Sequence, residues 1–507
     1  MARRLHVALA GVTALILLTG CGTAAGDDDS PKVFRVGFGG DPITMHPHLS
    51  APAYNIFLTP VFETLVKSTP DGGHEPALAT EWALAEDGRS LALTLRSDVT
   101  FQDGTPFDAE AVRANLEAAA RPGTLTARSL TTVEGVDVVD DDQVVLRLNA
   151  PGGHLVGVLA SEAGMMISPA QLNGDETARN PIGTGPFQLT ELTRGRTVYT
   201  RWDAHRDAGS TELAGIEIHG FPDDTARLNA LRSGQLDASF IFPSQIEQAE
   251  QAGMRTTVAE RTVFHSMLLN TGRSEFGDPR VRLAIGLALD RATMAQTLYD
   301  GNCRPTGQPY PEAHWAHSPE AGQPEYDPDR ARALLAEAGL PDGFTFTLAI
   351  SNITTYQRLG EAIQGELARI GITVNLDIMD NPSLTALRQS GNFDAVGGQY
   401  ESGRPDPTTF LTDFYLPDGT FNPGDFATPG GAELVDLARR STDTAERADP
   451  VQQVVADAAE LGAPVVPVCF PGSIEADAPH VTQGVTVSIV GDHDFSTVRM
   501  DSGGTGR

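Results

Sequence analysis

Lysine is nearly absent from this chain. Lys32 and Lys67 are the only two in 507 residues, against 34 arginines. A phosphate-cradling loop of the Gly-Lys-Ser/Thr type needs a lysine after a glycine, and neither lysine follows one, so Walker-type nucleotide hydrolysis is excluded. Positive charge is short in general. Thirty-six Lys and Arg against 67 Asp and Glu leave a formal charge of −31. No basic block stands against that surplus to neutralise phosphates, which excludes a nucleic-acid partner. The acidity itself reads as the compositional bias of a GC-rich or salt-adapted genome rather than as a functional acidic surface. Catalytic signatures are missing too: there is no HExxH metal motif and no GxSxG nucleophile elbow. Gly183-Thr184-Gly185-Pro186-Phe187 has two of the three glycines of a dinucleotide loop, but Pro186 forbids the helix that would face a pyrophosphate. His46 and His48 flank a proline, and His314 and His317 sit in a Pro-rich loop. Neither pair has a carboxylate at fixed spacing, so both read as structural, and no metal or cofactor is expected.

Long apolar runs are confined to the amino terminus. Val7 to Gly20 follows Arg3 and Arg4 and is 14 residues long, short of the ~20 that span a bilayer and suited to an export signal. It ends in Leu18-Thr19-Gly20-Cys21, which resembles a bacterial lipobox. That resemblance implies cleavage before Cys21, acylation of its sulfur, and a flexible tether over 21–31 after a signal peptide over 1–20. Two acyl chains anchor a protein stably where one does so only marginally. Two further cysteines remain, Cys303 and Cys469. A disulfide between them is permitted outside the cytoplasm, but their spacing alone does not place them within bonding distance.

What remains is a large, ordinary globular body. Forty per cent apolar and 20% charged residues suit a chain with a substantial core. Leu91, Leu93 and Leu95 alternate with polar neighbours, as do Val144, Leu146 and Leu148, the period-2 mark of half-buried strands. One helix starts after Asp108 with Val112, Leu116 and Ala119 on one face. Residues 56–178 therefore read as a strand-rich unit. Further along, Asp278-Pro279 and Asp327-Pro328 each place a cap before a proline at the first helical position. Asp449-Pro450 is read as the same device opening a helix with Val451, Val454 and Val455 inward. Leu359, Ile363 and Leu367 form a stripe closed by Gly371, after which 372–376 reads as a strand.

Several segments, in order, resemble the extracytoplasmic solute-binding proteins of the peptide/nickel class of ABC importers. They are Asp41–His48; Leu78–Trp82 with Glu86–Gly88 and Leu95–Val112; Asn180–Phe187; Asp278–Arg282 through Asp290-Arg291; Tyr326–Leu335; and Arg404–Leu411. The resemblance implies an α/β, two-lobed fold with a hinge and a strand-rich subdomain inserted in the first lobe. Lobe I would take 32–55, the insert 56–178, lobe I again 179–245, lobe II 246–463, and a return to lobe I 464–507. The crossovers are expected near 243–266 and 460–470. A ligand would be captured as the lobes close, without chemistry, and handed to ABC permease subunits with cytoplasmic ATPases. The protein would be a monomer held at the outer face of the cell membrane by its lipid alone.

The ligand itself is less legible. Peptide-binding relatives hold the ligand ammonium with an acid just before the Asp-Pro of the cleft-edge segment, and here that position falls near Gly403, two residues from Glu401. Tyr400, Glu401 and Arg404 are therefore expected to face the cleft, with an ammonium on Glu401 and a carboxylate on Arg404; His48 is a fourth candidate. Nickel-chelate relatives resemble the chain at Pro47-His48 and Phe107–Val112. The loop after Phe410 contains no histidine, however, which favours a peptide or other amino-acid-derived solute. A lipid-anchored hydrolase would need a nucleophile or metal set not visible in the sequence, and a ligand sensor would share the fold.

Overall fold

Two mixed sheets frame the molecule. The computed structural model describes residues 32–322 and 325–501; the expected signal, Cys21 and the tether lie outside them. Among the described residues no helix is long and apolar enough to cross a membrane.

The first sheet has seven strands. Val33–Phe38 lies at its centre, parallel to Gly215–Gly220 on one side and Ala238–Ile241 on the other. The hairpin of Phe187–Thr193 and Arg196–Arg201 extends one edge. Ser473–Asp477 is inserted between Ala238–Ile241 and Arg255–Ala259, antiparallel to both. The second sheet runs Cys303–Pro305, Val465–Pro471, Val263–Leu269, Ala395–Glu401, Thr345–Ser351, Thr373–Met379. Helices cover both its faces, as a largely buried sheet requires. Pro279–Ala288, Arg291–Tyr299, Pro328–Glu337 and Thr354–Ala368 share one core with it. Pro407–Tyr415 and Thr444–Glu460 belong to the core on the other side.

The caps read in the sequence are made. The Asp278 carboxylate accepts from the Arg280 amide and that of Asp327 from the Arg330 amide, each before a proline. Gly371, at φ +89°, turns the chain from Thr354–Ala368 into Thr373–Met379, a conformation glycine reaches without a Cβ clash. Asp449-Pro450 does not open a helix. Thr444–Glu460 is continuous through Pro450, and its cap is Asp443, which accepts from the Ala445 and Glu446 amides. Asp443 supplies the donors' partner one and a half turns earlier, and Pro450 forgoes a single backbone bond within the helix.

A four-stranded antiparallel sheet, in the order Ala79–Leu84, Ser90–Leu95, Gln143–Leu148, Val133–Asp140, forms the insert. Its alternating leucines and valines bury against Val112, Leu116 and Ala119 of Ala109–Ala119 in a core of their own. That helix is capped by Asp108 through the Ala111 amide.

The chain changes sheet twice, at 260–262 and at Gly472, where neighbouring strands of one sheet lead into neighbouring strands of the other. Both changes come later than the expected lobe boundaries at 246 and 464, although 260–262 lies within the expected crossover of 243–266 and Gly472 just beyond that of 460–470. Ala249 packs with Leu228 and Leu231, and Arg255–Ala259 pairs with Ser473–Asp477, so 246–259 stays with the first lobe. Val465–Pro471 pairs with Val263–Leu269 and belongs to the second. Cys303 and Cys469 are joined by a disulfide within the second lobe, tying its edge strand to the returning one.

Candidate functional site

The two crossings place one face of each lobe against the other, and the loop after Ala395–Glu401 lies at that meeting. Val263 pairs with Glu401 across the second sheet, and the Thr262 amide donates to the Ile489 carbonyl of the closing segment at 2.9 Å. Arg404 then reaches out of the second lobe. Its Nη1 donates to Asp492 Oδ1 at 2.6 Å, and its Nη2 to Glu162 Oε1 at 3.1 Å. One carboxylate comes from the closing segment of the first lobe and the other from the turn Glu162–Gly164 of the insert. The Arg404 side chain is only 5% exposed. Burial works against its charge, but the two carboxylates outweigh that and raise its pKa. Charge-assisted bonds of this kind strengthen where water is excluded.

The other expected site residues are distributed differently. Glu401 accepts a hydrogen bond from Thr262 Oγ1. Burial raises its pKa, with Arg261 the largest opposing influence. Tyr400 points to the opposite face of its strand, as the two-residue period of a strand dictates. Its ring packs against Phe264 and Phe414 in the second lobe's core with the Arg388 guanidinium 5.2 Å above it, so it does not line the meeting of the lobes. His48 is fully buried, 5.2 Å from His46 between ring centres, and packs against the turn that carries Glu162. Burial, then His46, pushes its pKa down to about 3. Gly403, near which the resemblance led an acid to be expected, is fitted against Thr262: a Cβ there would lie 2.6 Å from Thr262 Cγ2.

The lobes are in contact around Arg404. His74, Ser161, Gly403, Arg404, Pro405 and Val490 line a space of about 10 Å³, room for about one water. A cavity of about 530 Å³ lies beside it on the first-lobe side, between Phe62, Lys67, Met165, Arg206, Asp492 and His493. The contact continues away from the hinge. Trp315 Nε1 donates to the Gly72 carbonyl at 3.1 Å, the Gly153 amide to the Arg439 carbonyl at 2.6 Å, and Arg128 pairs with Asp413. Three histidines gather there around the Asp406–Arg447 ion pair, half-buried His74 and buried His154 from the insert and buried His314 from the second lobe. Burial pushes their pKa values down to about 4, 3 and 3 respectively.

Glu162, Asp492 and the histidine group carry no motif in the sequence, because each is assembled from segments tens to hundreds of residues apart. Among the described residues one cluster has metal-ligand spacing, His265 with Cys303 and Cys469, and its two sulfurs are bonded to each other.

Residues 74–422 match the family described as bacterial extracellular solute-binding proteins, family 5 Middle. The glutathione-binding protein GsiB of Salmonella paratyphi A is 33% identical over 314 residues, 60% of this chain and 60% of that protein. The match thus spans less than two thirds of the relative. Among solved structures, NikA from Brucella suis in complex with Fe(III)-EDTA superposes with a TM-score of 0.81 at 25% identity, covering 92% of this chain and 100% of that one. AgaA from A. tumefaciens R10 in complex with agropinic acid gives 0.77 at 26%, covering 92% and 99%.

Proposed function

Because the chain belongs to the bacterial extracellular solute-binding proteins of family 5, we propose that it captures a small carboxylate-bearing solute between its lobes and delivers it to an ABC importer. The reading that fits best is a peptide or other amino-acid-derived solute. Glutathione and EDTA, named with the relatives GsiB and NikA, both carry carboxylates. The observation that carries the reading is Arg404. A second-lobe arginine held by one carboxylate from the insert and one from the closing segment sits where a change in lobe angle makes or breaks both bonds. Proteins of this family bind their solutes, and this chain does no chemistry on its own. The closed form is the one that docks on the permease subunits served by cytoplasmic ATPases. The protein works as an extracytoplasmic monomer anchored through Cys21. In this scheme Glu401 faces the solute's ammonium, and Arg404 fastens the lobes.

A thermal-shift panel of glutathione, α-dipeptides and nickel chelates tests this, followed by small-angle scattering with the best hit. A raised unfolding temperature with a carboxylate peptide, and a smaller radius of gyration in its presence, is the expected result. A shift with nickel chelates alone would replace the peptide reading by a metallophore one. A new product in the incubation, seen by mass spectrometry, would replace binding by hydrolysis.

A further inference from the structure

Arg404 is engaged across the lobes, Nη1 with Asp492 and the Val490 carbonyl and Nη2 with Glu162, so a solute carboxylate bound there would compete with the bonds that fasten the lobes. Five arginines among the described residues make neither an ion pair nor a hydrogen bond: Arg179, Arg194, Arg232, Arg261 and Arg388. The first three are exposed and solvated. Arg388 covers the Tyr400 ring. Arg261 is the exception. It is mostly shielded, its Nε is buried without a partner, and its guanidinium lies against the backbone of Gly491, where a Cβ would come within 2.0 Å of Nη2. It sits in the crossing itself, between Arg255–Ala259 and Val263–Leu269. A guanidinium so placed has lost part of its hydration and gained no anion, which is costly unless something completes it.

Of the acids that act on it, Glu401, whose carboxylate is bonded to the adjacent Thr262, most strongly opposes its desolvation, yet the two do not form an ion pair. Glu401 is instead held by the Thr262 hydroxyl. A cationic fork and a carboxylate therefore stand side by side, close but unjoined, at the hinge end of the lobe interface. An α-amino-acid head, with ammonium and carboxylate on one carbon, presents the complementary pair of charges on adjacent groups. The two ends of an α-linked peptide do not, since at least one peptide unit separates them.

We propose that Arg261 takes the carboxylate and Glu401 the ammonium of a free amino-acid head, so that the protein prefers solutes that keep such a head intact, as γ-glutamyl compounds do. The carboxylate bond is bidentate to a fork that lysine lacks. This rests on the solute-binding reading above and names the part of the solute that is read.

The probes are two isomers, γ-Glu-Ala and α-Glu-Ala, equal in composition and charge; only the first has ammonium and carboxylate on one carbon. Calorimetry on the wild-type protein is expected to show the γ isomer binding at least tenfold tighter. Arg261→Gln should erase that preference, and Arg261→Lys should recover only part of it. Arg404→Gln should weaken both isomers alike, since it acts on closure. A thermal unfolding midpoint unchanged from wild type shows that each variant is folded. Equal affinity for the two isomers, or a preference that survives in Arg261→Gln, overturns the assignment. Binding of α-dipeptides such as Met-Leu but of neither glutamyl isomer overturns it too and leaves the solute-binding reading standing. Binding of no peptide or amino-acid derivative at all removes both.

Discussion

Asp406 and Arg447 meet with neither side chain exposed. Arg447 Nη2 donates to both Asp406 oxygens, at 2.8 and 2.6 Å, while the Thr408 amide and hydroxyl donate to Oδ1. Burial alone would raise the Asp406 pKa; Arg447, then His154 and Thr408, outweigh it and bring it down to about 2. The same carboxylate caps Pro407–Tyr415, so one residue fixes both a helix start and a buried cation. Asp406→Asn keeps the shape and removes the charge, leaving Arg447 uncompensated. A loss of about 3–5 kcal/mol in urea unfolding is expected, against under about 1 kcal/mol for exposed pairs such as Arg147–Asp137. Of this arrangement the sequence showed Arg404–Leu411 as a segment worth noticing. It did not show that Asp406 would find Arg447, 41 residues on, because a buried ion pair has no period. Tyr400 illustrates the opposite error: its neighbours Glu401 and Arg404 lie near the lobe interface, but adjacent residues in a strand face opposite ways.

Helix starts were legible because an N-cap is a local device, one side chain and the amides two or three residues ahead. Thr444–Glu460 shows where local reasoning was misled, since two aspartates six residues apart each precede a helical pattern and only tertiary packing selects between them. Asp443→Ala should therefore lower stability by about 1 kcal/mol, while Asp449→Ala, exposed in mid-helix, should change it by a few tenths at most. The segments that carry His74, His154 and His314 make a second prediction. All three are held neutral, with pKa values of about 3–4 against an ordinary ~6.5. Their charged neighbours are Asp71 and Asp406 on one sign and Arg439 and Arg447 on the other. A depressed histidine pKa means that separated or unfolded lobes take up protons first. The contact is then complete above pH ~6.5 and weakens as pH falls from there toward 4, by about 1.4 kcal/mol per histidine per unit at most. Thermal midpoints measured from pH 7 to pH 5 should fall, and His154→Gln should make the fall shallower. No spacing in the sequence brings these residues together; the packing of the insert on the second lobe does.

At the scale of the whole molecule the two-lobed plan and the approximate crossings were readable from ordered segments, while the lobe boundaries drawn at 246 and 464 fell short of 260 and 472 because strand pairing, not composition, decides membership. That pairing also sets an order of events in time. Ser473–Asp477 is an interior strand of the first sheet and Val465–Pro471 an interior strand of the second. Each is flanked on both sides by strands made more than 150 residues earlier. A chain growing from its amino terminus carries two sheets, each with a slot one strand wide, until residues 465–477 have been made. The stretch 465–477 fills both slots in sequence, with Gly472 alone between the two strands. Closure of both sheets thereby waits on residues 465–477, while the insert, whose core lies wholly upstream, does not depend on them. A fragment ending at Ala463 is expected to lack the cooperative unfolding transition of the two sheets by circular dichroism. Adding a peptide spanning 464–501 should restore it.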